Sequence, residues 1–492
     1  MINNMMRNVL MLLFIIPLII SCGDDFVDRD PVYTIDSEGY FNSEQDYNDA
    51  LIGAYDLLQS TYINVLLGEI ASDNTLAGGE SPTDVIGFQQ VDDMIHTPVN
   101  DNLKNLWDWM FAGVSRATYI IEFKDKIDFE GKNQILAEAY FLRAYYNFEL
   151  VKWFGPIPLK PESRFVVGDE TSIPRFPVSE VYALIESDLQ FAVNNLAETA
   201  PQVGRVSRGA AQALLGKAFL YQEKFDEAAS ILDQVVNSGD YALIMDDYEG
   251  IFLNAGENGA ESVFEVQYTD AEGAGFGCLQ CSEGNVAVGF TGVRNYSGPV
   301  FDSGFSFNLP TQEVYDAFEV GDLRRDASIL NIDEWAAQTG ASFGTGNEHT
   351  GYYNRKYLPR QGDANLGDQN LTNPNNYRVI RFSDVLLMTA EAYSRGGLGD
   401  NTAQTYLNTV RRRAFGDNNH DISASGDALT DFILAERRLE LVGEGHRFFD
   451  LVRTGRAANA IEGFTAGKNE IFPIPFQEIQ FANGNWEQNP GY

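Results

Sequence analysis

The chain has 492 residues, 44% hydrophobic and 12% aromatic, which supports a large apolar core and excludes a disordered polyelectrolyte. Against 34 Lys and Arg stand 71 Asp and Glu, a formal net charge of −37 that repels the phosphates of nucleic acid and of anionic lipid. Nucleic acid is therefore not a partner.

Residues 1–21 form a secretory signal: Arg7 opens it, an apolar run too short to span a bilayer follows, and small Ser21 precedes Cys22. Ile19-Ile20-Ser21-Cys22 has the form of a lipobox, so the mature chain is expected to begin at a lipidated Cys22, its acyl chains holding it at a membrane surface. The bland alternative is an ordinary export signal with a chance cysteine. Residues 22–43, acidic and broken by Pro31, read as a tether.

From 44 to 240 helical periodicity dominates, with stretches at 44–60, 102–124, 131–153 and 177–196. Between Ser207 and Ser238, Leu215, Gly216, Phe219 and Ala228 fall at the offsets of a tetratricopeptide repeat, with Ser207 as N-cap and a turn near Glu223. Small Gly216 and Ala228 let two helices approach while Leu215 and Phe219 fill the seam. Residues 241–376 change character: glycine is dense, periodicity fails, β-prone SVFEVQY appears at 262–268, and aromatics persist, the marks of an inserted loop lobe. Residues 377–492 return to helices, with a second repeat match at 384–414 through Ala390, Tyr393, Gly397, Ala403 and Val410. In the helix at 430–443, Phe432, Ala435, Leu439 and Val442 make the inward stripe, and Gly443 closes it. The fold class is mainly α.

Catalytic signatures are missing: there is no GxSxG, HExxH or GxxxxGK[ST] pattern, and no enzyme activity is expected. Nor is a cofactor expected. GDANLGDQN at 362–370 gathers oxygen ligands that suit calcium, but it lacks the order and closing glutamate of an EF-hand and reads as a solvated loop. Cys278 and Cys281 are expected to pair as a disulfide in an oxidising compartment; zinc is a poor fit because His96, His349, His420 and His446 are scattered.

Aromatic rings carry more information, since the C–H faces of sugar rings stack on them while polar neighbours bind hydroxyls. Leu103, Trp107, Met110, Val114, Ala117 and Ile121 recur as one inward stripe, which makes Trp107 core. Trp109 lies about 200° further around the helix and becomes a candidate for ligand contact, burial against a second helix layer being the alternative. Asp73 and Asn74, in a loop after a helix, are candidates to bind hydroxyls or are turn formers. Arg294 and Tyr296 form a stacking and hydrogen-bonding pair, and Trp335 is a further candidate or a helix anchor.

ERRLELVGEGHRFFDLVRTG at 436–455, FPIPFQEI at 472–479 and the terminal QNPGY resemble the C-terminal pattern of the SusD/RagB family of outer-membrane nutrient-binding lipoproteins. RAYYNFELVKWFGPIPL at 143–159, SFNLPTQEVYDAFEVGDLRRDASI at 306–329 and YRVIRFSDVLLMTAEAY at 377–393 extend the likeness over nearly the whole mature chain. The resemblance implies four tetratricopeptide-like helix pairs, a loop-rich ligand face and a lipid anchor facing the cell exterior. It further implies a SusC-like TonB-dependent transporter, to which a captured oligo- or polysaccharide is delivered. Phe276, Trp335 and the aromatics between them, with Asp73, Asn74, Trp107 and Trp109, are similar in place to family binding regions, while His446 and Arg447 read as packing residues. A peptide-binding lid and an α/α polysaccharide-degrading enzyme are the competing readings. The chain's acidity favours a neutral glycan, although arginines such as Arg294 could reverse that locally.

Overall fold

The computed structural model describes residues 39–363, 366–368 and 370–492. Cys22, the signal and most of the tether lie outside the described residues, as do Ala364, Asn365 and Gln369 of the acidic loop.

Helices dominate. Ser43 caps α1 (Glu44–Asp56) through a capping box with Asp46, and a short 3₁₀ turn leads into α2 (Tyr62–Ile70). Asn100 accepts from the amides of Asn102 and Leu103 to start α3 (Asp101–Glu122), and α4 (Lys132–Phe154) follows. Next come α5 (Val178–Asn195), α6 (Arg208–Tyr221), α7 (Phe225–Val236), α8 (Phe382–Arg395), α9 (Asp400–Phe415), α10 (Asp427–Glu440) and α11 (Arg447–Arg453). Each of α3 to α9 packs on the next, so the array runs straight from α7 to α8 across the inserted lobe. Short turns join α3–α4, α6–α7 and α8–α9, and Glu223 bridges the second of these at φ 59°.

Within α6 and α7 the small residues do what their spacing demands. Gly216 and Ala228 are buried, and a Cβ built on Gly216 would lie 2.4 Å from Cγ of Leu232. Only hydrogen fits there.

Two sequence-level expectations fail for identifiable reasons. Trp109 does not point away from the core: α3 is buried on two faces, and Trp109 packs on Tyr62 of α2 with ring centroids 5.9 Å apart. In α10, Phe432 and Ala435 face solvent, whereas Glu436, Arg437 and Glu440 turn inward. Charge rather than hydrocarbon occupies that seam because its partners are buried with it. Arg381 reaches Glu261, Glu440 and Glu444 at 2.8 Å each, Arg413 reaches Glu440 at 2.6 Å, and Arg324 reaches Glu436 at 2.6 Å. Arg437 joins Asp384 at 2.7 Å and Asp450 at 3.1 Å, and Lys356 meets Glu444 at 2.7 Å. These cations hold the carboxyls of Glu440, Glu444, Asp384 and Asp450 below their usual range despite burial.

Among the described residues there are five two-stranded pairs, four of which include a strand of the lobe. β1 (Thr75–Gly78) pairs with β7 (Phe307–Pro310), β2 (Ile157–Pro158) with β3 (Arg175–Phe176), and β4 (Ser262–Val266) with β10 (Tyr377–Arg381). β5 (Val293–Arg294) runs parallel to β6 (Ser303–Gly304), and β8 (Ile329–Asn331) pairs with β9 (Tyr352–Asn354). A separate small core of Val293, Tyr296, Phe301, Leu309, Leu330, Ile332, Tyr353 and Leu358 underlies this region.

Candidate functional site

Three loops distant in sequence meet at Arg294. β1 runs into Gly78 and Gly79, at φ 72° and 92°, which only glycine adopts without strain; a Cβ on Gly78 would sit 2.3 Å from the Ser306 carbonyl oxygen. Gly79 donates its amide to Ser306 at 2.7 Å, and its carbonyl accepts from Asn347 at 2.9 Å. Asp84 closes the following turn by accepting from the Glu80 amide at 2.8 Å. Arg294, at the end of β5, accepts on its carbonyl from Gly344 at 2.8 Å and donates from its side chain to the Phe305 carbonyl at 2.8 Å. Its guanidinium stands 3.6 Å from Glu80 and 3.7 Å from Asp84.

Beside it lies an aromatic cluster. The Tyr296 hydroxyl donates to the Pro299 carbonyl at 2.6 Å and accepts from the Trp335 indole at 2.9 Å. Phe301 bridges the two, with centroids 6.1 Å from Tyr296 and 5.3 Å from Trp335. Trp335 is half-buried in the short helix Ile332–Thr339, and the Arg355 guanidinium lies 5.7 Å from its ring centroid. On the other flank Phe276 is 59% exposed, its ring 5.8 Å from that of Phe305, in the loop where a disulfide joins Cys278 to Cys281.

Four of the sequence candidates thus lie in the lobe: Phe276, Arg294 and Trp335 keep exposed or partly exposed side chains, while Tyr296, 7% exposed, belongs to the small core beneath them. The other four are placed elsewhere. Asp73 grips Arg447 through both oxygens, at 2.7 and 2.8 Å, and Asn74 accepts from Arg438 at 2.8 Å, so both side chains are committed to the C-terminal segment. Trp109 is core, as above. Trp107 packs on Phe154 and Trp486 and lines, with Phe111 and Phe165, a separate groove of about 360 Å³. Two residues outside the sequence candidates, Glu80 and Asp84, border Arg294, and Gln89 donates to the Gly78 carbonyl nearby at 2.8 Å. Nothing in their local sequence signals it, since only the pairing of β1 with β7 brings residues 80 and 294 together.

His446 is a structural residue: burial and neighbouring Lys217, 3.3 Å away, push its imidazole down to about 3. Among the described residues no group of three or more His, Cys, Asp or Glu side chains could hold a metal ion, and no helix is long and apolar enough to cross a membrane.

This is a tetratricopeptide-type helical scaffold carrying an inserted lobe of loops. Residues 25–220 match the family described as "Starch-binding associating with outer membrane", and residues 326–492 match the one described as "SusD family". Among solved structures, a "Laminarin binding SusD-like protein" is 36% identical with a TM-score of 0.84, covering 92% of this chain and 100% of its own. Surface glycan-binding protein A from Bacteroides fluxus is 30% identical with a TM-score of 0.82, over 92% of this chain and 100% of that one. SusD-like protein P2 of Formosa agariphila is 27% identical over 97% of this chain and 99% of its own. The chain belongs to the SusD family.

Proposed function

We propose that this chain is a cell-surface lipoprotein, anchored at Cys22, that captures an oligo- or polysaccharide on the Arg294–Trp335 face and passes it to a SusC-like TonB-dependent transporter in the outer membrane. The observation that carries this reading is the likeness at 36% identity, over the full length of that structure, to a laminarin-binding SusD-like protein. A further relative of known structure, 26% identical, is a surface glycan-binding protein in complex with laminarihexaose. The face has the chemistry for it. Phe276 and Trp335 offer ring surface for the C–H faces of sugars.

Calorimetry of the purified mature chain with laminarin, then with a panel of other oligosaccharides, tests this. Binding should fall by about tenfold or more in Trp335→Ala and in Phe276→Ala, the loss of one stacked ring each. Absence of binding across the whole panel would remove the glycan from the reading. Steady release of product, lost on changing one carboxylate, would replace it with an enzyme.

A further inference from the structure

The loop face has a cation at its centre, and what surrounds that cation decides the class of glycan it admits. An arginine with a free fork would bind the carboxylate or sulfate of an acidic sugar in bidentate fashion. Arg294 has no free fork. One terminal nitrogen donates to the Phe305 carbonyl, both terminal nitrogens face acids at 3.6 and 3.7 Å, and Nε is buried with no partner among the described residues. Further acid stands behind: Glu348 accepts from the Gly78 amide at 3.1 Å, and Asp92 accepts from the Ala77 amide at 2.6 Å. Burial first, then the neighbouring Glu348 and Asp93, push the Asp92 carboxyl up to about 7. At the aromatic end two further cations share one carboxylate: Arg355 and Arg360 meet Glu249 at 3.0 and 2.8 Å, and lie against the rings of Phe301 and Trp335.

We propose that Glu80 and Asp84 are specificity-determining residues: by cancelling Arg294 they bar anionic glycans from the loop face and leave it to neutral chains. The proposal rests on the glycan reading above and adds to it the class of chain the face rejects and the residues that reject it. Glu80, with its side chain 76% exposed, screens the approach from solvent, while Asp84 holds both the guanidinium and the turn beneath it.

The test compares laminarin with carboxymethylated laminarin, one backbone with and without charge, by affinity electrophoresis at low salt. The unmodified protein should bind laminarin and bind the carboxymethylated polymer at least about tenfold more weakly; Glu80→Gln with Asp84→Asn should close most of that gap while laminarin affinity stays within about threefold. Raising salt to about 0.5 M should narrow the gap in the unmodified protein, because the screening length then falls well below 10 Å. Glu80→Gln alone, at an exposed side chain, repeats the test without touching the Asp84 turn and should close part of the gap. If laminarin binds but the double variant still rejects the charged polymer as strongly, the charge assignment is wrong and the glycan reading stands. Equal binding of both polymers by the unmodified protein overturns it too. Failure to bind any neutral glycan overturns the glycan reading, and this inference with it.

Discussion

Glu69 sits fully buried in α2 with one oxygen accepting from the Gly445 amide at 2.7 Å and the other without a partner among the described residues. Burial raises its carboxyl from 4.5 to about 7. Below pH about 4.5 the folded and unfolded chains are both protonated there, and the site costs nothing. As pH rises toward 7 the unfolded chain releases its proton first, so folding loses stability, reaching about 3 kcal/mol above pH 7. Glu69→Gln keeps the acceptor for Gly445 and removes the titration. Its urea midpoint should match that of the unmodified protein near pH 4.5 and exceed it at pH 8; equal midpoints at both pH values would rule out the burial penalty. At this scale the sequence was a partial guide. Asp73 and Asn74 were visible as polar residues after a helix, but not as partners of Arg447 and Arg438, because a bridge across more than 360 positions leaves no local pattern. Arg294, Tyr296 and Trp335 were legible as types. The hydrogen bond from Trp335 to Tyr296 and the acid neighbours of Arg294 depend on tertiary register.

At the scale of elements, the repeat offsets in α6 and α7 predicted a close crossing, and the crossing tests which of two effects wins at Gly216. Alanine would gain about 1 kcal/mol in helix propensity, yet its methyl would lie inside the Leu232 side chain, at a cost of about 1–3 kcal/mol for overpacking. Gly216→Ala should therefore lower the thermal midpoint, and a rise would mean that the helices can separate freely. The α3 stripe from Leu103 to Ile121 is buried as its period demands. The α10 stripe is buried only at Leu439 and Val442, while Phe432 and Ala435 face solvent, and the reason is general: periodicity locates an apolar face only when the core is apolar. Where Glu436, Arg437 and Glu440 find buried counter-ions, the seam turns toward charge and the hydrophobic count points the wrong way.

For the whole molecule, mainly helical architecture and the interrupted array were legible because each helix is long and periodic, and the C-terminal motif is specific. The lobe was legible only as loops, since strands of two to five residues carry too little pattern to reveal which pairs with which. Anchoring and binding are separable in the proposed role. With Cys22→Ala the purified chain should keep its laminarin affinity within about twofold, while cells should lose the surface-bound protein and their uptake; loss of binding in solution would mean the anchor has a second purpose.

The buried ion network described above also fixes when the fold can be completed. Glu261, Arg324 and Lys356 come from the lobe, and Arg381, Arg413, Glu436, Glu440 and Glu444 from the C-terminal segment that follows it. Until residue 444 has arrived, Lys356 lacks its carboxylate and Arg381 one of its three, so the network cannot be taken out of water complete. A chain emerging from its N-terminus thus remains unlocked until nearly its end has appeared. A copy cut short anywhere before α10 is left without its keystone and open to proteases.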